Sequence, residues 1–298
     1  MLCLKSFIDH GHKVHLYTFE DRLDVPDGVL ICDASTLIGR NRFFTYKGDE
    51  GRGSPAGFAN LFRYLLLAEK GGWWIDTDVV CLSSRIPTVN QFFAYQDDEL
   101  VNCGVLFFEA KHIAMIRCHA RADELGSSAQ WGDTGPRLLT KVLGGLGCID
   151  RAQPASACYP VHYSKALALL RPSEAAAVSE CIKTSLFLHL WNEQLRRNGI
   201  RKQCLPPRGS VLHQLIERHQ VSGWTGEYDA ETLEWLNLKA ELAACHAEIE
   251  RQKKMLETIH SSKSWRWTIP IRHMAKLLRS LRHQADHGRG RKNTEIIR

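Results

Sequence analysis

The order of apolar and polar positions divides the first half of the chain into alternating helices and strands. Apolar side chains recur every three or four residues in some segments, which is typical of helices, and alternate or run together in others, which is typical of strands. Helices are predicted over 2–8, 56–70 and 134–145, and strands over 13–19, 29–32, 73–75 and 100–109. This alternation predicts an α/β fold with a largely parallel sheet.

Two glycines and a proline set element boundaries in this region. Gly71 and Gly72 end the helix over 56–70, because glycine readily adopts the left-handed conformation that closes a helix. Pro136 stands at the first position of the helix over 134–145, where its missing N–H carries no cost. The stretch 150–230 has no clear periodicity, and its loops are rich in Pro, Ser and Gly.

The C-terminal part has a different pattern, in which apolar residues repeat with spacings of three and four. The seam runs through Trp235, Leu238, Leu242, Cys245, Ile249, Gln252, Leu256 and Ile259, with Gln252 as its polar member. This spacing predicts a helix over 229–262 that either forms a coiled coil and self-associates or packs singly on the body of the protein. The predicted domains are therefore 1–228, 229–262 and 263–298.

Charge is concentrated in the last of these segments. The net charge of the whole chain is +6, but residues 263–298 carry ten Lys or Arg against two acidic residues, so the rest is close to neutral. A helix that begins near Pro270 is predicted to be basic and amphipathic, which is typical of helices that lie in a membrane interface. The basic run 289–292 follows no recognised nucleic-acid-binding module, so nucleic acid is not expected as a partner.

Composition narrows the cellular setting that we expect. The ten cysteines are scattered without paired spacing, which favours reduced thiols, and no apolar stretch approaches the roughly 20 residues of a membrane span. The first residues do not form a signal peptide, because Asp9 and His10 interrupt the early apolar run. We therefore expect a cytoplasmic protein with peripheral contact to the inner face of the membrane.

Two aspartates separated by one residue follow the predicted strand over 73–75. Asp76 and Asp78 of an extended chain point to the same side, so both carboxylates can face one ion. Oxygen ligands suit Mn²⁺ or Mg²⁺, which keeps water or phosphate oxygens in its remaining positions. The predicted site is a divalent cation that neutralises charge on a leaving phosphate.

Two other interpretations fit an isolated Asp-x-Asp turn. One is a solvated loop without function. The other is a phosphatase of the haloacid dehalogenase type, for which Asp76, Asp78 and Val80 almost match the nucleophile motif. That interpretation needs a further acidic pair on a later strand, and Asp97-Asp98 comes too soon after the turn to supply it.

The helix that precedes the turn adds polar side chains to the candidate site. Asn60 and Arg63 are three residues apart and share the side of the helix opposite Phe58 and Leu65. A guanidinium there could reach a phosphate or a sugar hydroxyl. Without the acidic turn, a solvated Arg63 would be the simpler interpretation.

The segment FANLFRYLLLAEKGGWWIDTDVVCL, residues 58–82, closely resembles the glycosyltransferases of family 32, which carry a DXD motif. These include capsular-polysaccharide synthesis proteins and α-1,4-glycosyltransferases. Four further segments are similar to the same family, in the same order, so that the resemblance extends over roughly residues 1–210: 6–20, 101–110, 132–143 and 188–200. The segment SSKSWRWTIPIR, residues 261–272, is similar to a signature that ends many bacterial proteins of glycan assembly.

The resemblance implies a GT-A fold, which is Rossmann-like, and a nucleotide-sugar donor such as a UDP-sugar. It also implies Mn²⁺ or Mg²⁺ as cofactor and retention of anomeric configuration. Carried over by position, Asp78 binds the metal, Asp76 binds the metal or the donor, and His189 is the late metal ligand. Without the resemblance, His189 would be interpreted as a core histidine.

The same carry-over assigns the remaining site residues. Asn60, Arg63, Trp191 and Asn192 are expected to bind the donor, together with Asp76. The catalytic positions near the transferred sugar and the acceptor are Asn102 and Asp133. The acceptor is expected to be a glycan or lipid-linked glycan of a bacterial surface, namely lipopolysaccharide, O-antigen or capsule.

Two departures from the family pattern keep a second hypothesis open. Asn60 stands where the family usually has Asp, and an amide cannot act as a charged acceptor. Family members also begin with a strand ahead of the helix over 2–8, so either the true start lies upstream of Met1 or that first strand is missing. The alternative to an active transferase is a catalytically impaired scaffold that acts through its coiled coil and basic tail.

Overall fold

A computed structural model describes residues 1–48, 51–268 and 274. Its helices are α1 (Leu2–Asp9), α2 (Ala56–Glu69), α3 (Ile113–Leu125), α4 (Pro136–Gly145), α5 (Ala175–Ile182), α6 (Asn192–Arg197), α7 (Val211–Arg218), α8 (Ala230–Ser261) and α9 (Lys263–Trp267). Its strands are β1 (Val14–Thr18), β2 (Val29–Asp33), β3 (Gly72–Ile75), β4 (Val79–Cys81), β5 (Gln91–Phe92), β6 (Val105–Phe108), β7 (Phe187–His189), β8 (Cys204–Leu205) and β9 (Gly226–Glu227). The mixed α/β class is confirmed.

The strands form small sheets rather than one largely parallel sheet. β1 and β2 are parallel, but β3 pairs antiparallel with β6, β5 also pairs antiparallel with β6, and β4 pairs antiparallel with β7. The prediction of a largely parallel sheet is therefore wrong around the acidic turn. The physical reason is that no helix lies between β3 and β6 in this fully described stretch, and a crossover helix is what usually makes two strands parallel.

The sheet of β3, β6 and β5 separates two hydrophobic clusters. Trp73 packs against one cluster and Trp74 against the other, because consecutive strand residues point to opposite faces. Phe107 and Phe108 of β6 divide in the same way. The two tryptophans therefore anchor the strand that leads into the acidic turn on both of its faces.

Helix α2 packs beside this sheet and is buried on most of its circumference. Leu61, Tyr64 and Leu67 are completely buried, and the polar residues Asn60 and Arg63 are buried as well. The helix ends at Glu69, followed by Gly71 and Gly72 with positive φ angles, as predicted.

A cleft of about 1120 Å³ lies between β1 and β3. All of β1 lines it, together with Trp73, Trp74 and Ile75 from the opposite side, and Asp76 and Thr77 also border it. Most of the side chains that line the cleft are apolar. The acidic turn therefore opens onto an apolar cleft.

The chain divides into two compact units, residues 1–237 and 238–298. Within the first unit, the start of α8 is anchored by Leu233, which is buried in the core, and by Leu236, which packs against it. The predicted domain boundaries at 228 and 262 stay predictions. The amphipathic helix predicted from Pro270 lies outside the described residues, apart from Met274. Across the described ranges, no helix has both the length and the apolar character that crossing a bilayer requires.

Candidate metal and donor site

The acidic residues lie in a tight turn between β3 and β4. The N–H of Val79 donates to the carbonyl of Asp76 at 3.1 Å, and the N–H of Asp76 donates to the carbonyl of Gly104 at 2.8 Å. Asp76 and Asp78 are therefore not two positions of one extended strand, as the sequence suggested. Both carboxylates nevertheless lie on the same side of the turn, near one histidine.

That histidine is His189, the last residue of β7. The β4–β7 ladder pairs Val79 with His189, which places Asp78 directly beside the imidazole. The Nε2 atom of His189 lies 3.6 Å from Oδ1 of Asp78. The other oxygen, Oδ2, accepts the backbone N–H of Asn192 at 2.9 Å. Asn192 is the first residue of α6, so the Asp78 carboxylate contacts the start of that helix.

Asp76, Asp78 and His189 form a group with the chemistry of a metal site. One ligand atom from each lies within 4.8 Å of the others, and no other group of three such residues occurs among the residues that the structure describes. Two carboxylate oxygens and one imidazole nitrogen suit Mn²⁺, and Mg²⁺ accepts the oxygens with water completing its shell. The residues present therefore fit the implied cation.

Asp76 also bonds to the buried Arg63. Nη2 of Arg63 donates to Oδ1 of Asp76 at 2.5 Å, and the indole N–H of Trp74 donates to the same oxygen at 2.7 Å. Arg63 also bonds to the side-chain oxygen of Asn60 and stacks on the Trp74 ring at 4.9 Å. Because Oδ1 carries both bonds, Oδ2 of Asp76 is the oxygen that remains for an ion.

Electrostatics keep the Arg63 guanidinium ionised. Burial alone would lower the pKa of Arg63, but the neighbouring carboxylate of Asp76 outweighs it and raises the pKa above its ordinary value. The Arg63 side chain is only 5% exposed, and its Nε atom has no hydrogen-bond partner among the described residues. The predicted donor-binding residue is thus a buried cation whose charge is paired with Asp76.

Trp191 and Asn192, predicted to lie near the donor, occupy the turn after β7. Trp191 adopts a left-handed conformation, with φ 55° and ψ 49°, and its ring packs 4.2 Å from the His189 ring. The indole N–H donates to the carbonyl of Val161 at 2.7 Å, and the backbone N–H donates to Nδ1 of His189 at 3.0 Å. Trp191 therefore orients His189, and the observed contact of Asn192 to the site is its main-chain N–H.

Asn102, a predicted catalytic residue, is buried next to the same histidine. Its amide nitrogen donates to Gln96 at 2.7 Å and its oxygen accepts the N–H of Gly104 at 2.6 Å. A Cβ atom on Gly104 would lie 3.0 Å from that oxygen and 3.1 Å from Nε2 of His189. Gly104 is thus a site residue that the sequence analysis missed, and the glycine in VNCG directly before a strand was the available signal.

Asp133, the other predicted catalytic residue, lies exposed in its own loop. Its Oδ2 atom accepts the backbone N–H of Gln130 at 2.8 Å. The buried neighbour Thr134 makes the connection to the site instead, because its hydroxyl accepts the side-chain N–H of Asn60 at 3.2 Å. The structure therefore joins Asn60, Arg63 and Thr134 to Asp76, with Asp133 at the edge of that network.

Part of the chain is similar to known glycosyltransferases. The model of the family described as "Alpha 1,4-glycosyltransferase conserved region" matches residues 108–219, which include His189, Trp191 and Asn192. The chain is 29% identical over 170 residues to human alpha-1,4-N-acetylglucosaminyltransferase, covering 53% of this chain and 48% of that protein. It is 24% identical over 143 residues to mouse lactosylceramide 4-alpha-galactosyltransferase, covering 44% of this chain and 40% of that protein.

These relatives support a glycosyltransferase enzyme of the family 32 type. The human lactosylceramide 4-alpha-galactosyltransferase is also similar, with 22% identity over 163 residues, half of this chain and 46% of that protein. The chain therefore spans somewhat less than half the length of the curated relatives that it matches. No solved structure shows a significant match to it.

Proposed function

We propose that this protein is a metal-dependent, retaining glycosyltransferase that moves a sugar from a nucleotide-diphosphate donor, with UDP as the expected nucleotide. The observation that carries the proposal is the group of Asp76, Asp78 and His189 beside the buried Arg63. Its chemistry agrees with the glycosyltransferase region matched over residues 108–219. A GT-A arrangement for residues 1–228 belongs to the same proposal.

The proposed cation is Mn²⁺ or Mg²⁺, and Asp76, Asp78 and His189 are the residues that would hold it. When bound, such an ion offsets the negative charge that collects on a diphosphate leaving group. Arg63 fixes Asp76 through Oδ1, so that its second oxygen is presented in one orientation. Asn192 holds Asp78 through its backbone N–H, and Arg63 holds Asp76, so both carboxylates are positioned before any ligand binds. For His189 to bind the cation through Nε2, its Nδ1 would have to give up the N–H bond from Trp191 and carry the ring proton itself.

The remaining donor and acceptor assignments follow from position. Asn60 and Arg63 would contact the donor from the side of α2, and Asn102 and Asp133 would lie towards the transferred sugar and the acceptor. We propose a glycan or lipid-linked acceptor of a bacterial surface. Two of the relatives described above are named for lactosylceramide, and the basic segment 263–298 suits peripheral contact with anionic headgroups at the inner face of the membrane.

A second candidate function is a scaffold that keeps the fold but does not turn over a donor. Asn60 favours it, because the amide supplies Arg63 with a neutral partner rather than a second carboxylate.

The deciding experiment uses the purified full-length chain with a panel of nucleotide sugars, in Mn²⁺, in Mg²⁺ and in EDTA. We expect donor hydrolysis or transfer that EDTA abolishes and that Asp78→Asn lowers by about a thousandfold. Asp24→Asn, which changes an exposed aspartate on the loop before β2, is the matched control and should behave like the wild type.

Two outcomes would contradict the proposal in different ways. Turnover that persists in EDTA or in Asp78→Asn would remove the metal from the reaction while leaving a transferase. Absence of both turnover and Mn²⁺-dependent nucleotide binding, measured by calorimetry across the same panel, would favour the scaffold.

A further inference from the structure

The heptad seam of α8 is exposed along its length. Trp235, Leu238, Leu242, Ile249 and Leu256 are each between 48% and 59% exposed, and Cys245 is exposed as well. Exposed contiguous apolar stripes of this size mark interaction surfaces. The spacing of three and four residues is the one that a second helix covers by knobs-into-holes packing.

Among the residues of α8 whose burial the structure describes, Leu233 and Leu236 pack into the core, and they lie on the opposite side of the helix from the seam. Numbering the seam as heptad positions a and d puts Trp235 at a and Leu238 at d. Leu233 and Leu236, which pack into the core of the first unit, then fall at f and b, which face away from the seam. The start of the helix is therefore anchored through positions f and b, and Glu234, at the g position beside the seam, lies 3.7 Å from Nε of Arg171.

Charged residues flank the seam with opposite signs on its two sides. Three g positions carry acidic residues, namely Glu234, Glu241 and Glu248. Three e positions carry basic residues, namely Lys239, His246 and Lys253. In a parallel two-stranded coiled coil, a g residue lies beside the e residue five positions later on the other helix. All three such pairs would join an acidic to a basic side chain if the partner were a second copy in register.

An antiparallel pair would lose this complementarity. It brings g beside g and e beside e, so that glutamates would meet glutamates and basic residues would meet basic residues. Centred on the same seam, it would also place Gln252 opposite Leu242, whereas a parallel pair in register places the two Gln252 amides together. A polar seam residue that pairs with the same residue of the other helix is a known means of fixing the register of a coiled coil.

From the exposed seam and its flanking charges, we propose that α8 forms a parallel, in-register, two-stranded coiled coil with a second copy of this chain. Glu248 also bonds to Arg251 within its own helix, and Lys253 to Glu250. These pairs are solvent-exposed, and such pairs contribute little, so exchanging them for contacts between copies is inexpensive. The seam is about three and a half heptads long, and association should therefore depend on protein concentration.

Direction is tested by disulfide cross-linking of the full-length protein, after Cys181 and Cys245, both exposed, have been replaced by Ser. In that background Leu238→Cys should give a covalent dimer on mild oxidation, because the two copies of position 238 face each other. A mixture of Leu238→Cys and Leu256→Cys should give no 238–256 cross-link. The reverse result, a mixed cross-link without the 238–238 product, would overturn the parallel arrangement.

Association itself is measured by sedimentation velocity over a range of concentrations. Leu242→Asp should raise the dissociation constant by roughly a hundredfold, because it buries a charge at the seam. Ala247→Asp, at an exposed position on the far face, is the matched control and should leave it unchanged. Glu248→Lys should weaken the dimer and Lys253→Glu in addition should restore it; a monomeric wild type at all concentrations, or failure of this rescue, would contradict the proposal.

Discussion

Asp76 and Asp78 hold different positions in the site, although the sequence presents them as equivalent. Asp76 is the partner of a buried arginine and of an indole N–H. Asp78 accepts one backbone N–H and lies beside His189. Removing the charge of Asp76 would leave the Arg63 guanidinium buried without its counter-ion, and a lone buried charge is costly. No comparable buried cation depends on Asp78 among the described contacts.

We therefore predict that the two Asp→Asn variants differ in stability but agree in metal binding. Asp76→Asn should lower the free energy of unfolding by about 2 kcal/mol, and Asp78→Asn by less than about 1 kcal/mol. Both should weaken Mn²⁺ binding at least tenfold, because each removes a charged ligand. Urea unfolding in EDTA measures the first quantity, and Mn²⁺ titration the second. Equal losses of stability would show that Arg63 does not depend on Asp76.

Gly104 supports a second prediction at the residue scale. An added Cβ would press on His189 and on the side chain of Asn102, both buried. Gly104→Ala should therefore displace His189 and weaken Mn²⁺ binding by roughly tenfold, while the protein remains folded. Gly144→Ala in α4 is the control, since no atom lies within 4 Å of its added Cβ. If Gly104→Ala binds Mn²⁺ like the wild type, His189 either tolerates the methyl group or is not a ligand.

At the scale of elements, α2 carries the polar pair that reaches the acidic turn. Asn60 and Arg63 are one helical turn apart, and both bond to groups outside the helix, Thr134 and Asp76. The charge on this face of α2 is thus set by a single residue. Asn60→Asp would give Arg63 a second carboxylate and restore the residue usual in the resembled family.

We predict that Asn60→Asp raises kcat/KM for the preferred donor by about tenfold if the protein is a transferase limited by this position. Asn90→Asp, which adds the same charge at an exposed bend, should have no effect. Donor hydrolysis measured with saturating Mn²⁺ gives both values. A fall in kcat/KM would indicate instead that the extra carboxylate draws Arg63 away from Asp76.

Elements formed by local interactions were predictable from the sequence, and contacts between distant segments were not. The helix over 56–70, the strand before Asp76 and the helix that begins at Pro136 all occur near their predicted bounds, because periodicity, Gly-Gly and Pro act locally. The antiparallel pairing of β4 with β7 joins Asp78 to residues more than 100 positions later, and no local pattern encodes it. His189 entered the candidate site only through the family resemblance. Gly104 was missed because its importance depends on which side chains surround it.

At the scale of the whole molecule, stability is linked to pH through α3, which packs in the hydrophobic cluster on the Trp74 side of the sheet. Burial lowers the pKa of His112 and of His119 below the ordinary value near 6.5. His112 is the N-cap of α3, and its Nδ1 accepts the N–H of Ala114. Ala114, Met115 and Cys118 of the same helix are buried in the cluster. Both histidines are therefore neutral in the folded protein at neutral pH and take up protons more readily once it unfolds.

This difference fixes the sign of the pH dependence. A group whose pKa is lower in the folded state stabilises the fold above its unfolded pKa, and that contribution disappears as pH falls through 6.5 towards the folded value. The unfolding temperature should thus decrease between pH 7.5 and pH 5.5. His112→Asn keeps a capping oxygen and removes the titrating ring, so it should reduce that decrease by roughly 2 °C. His15→Gln, at an exposed position of β1, should leave it unchanged, and a His112→Asn variant with the full wild-type pH dependence would show that His112 is not linked to unfolding.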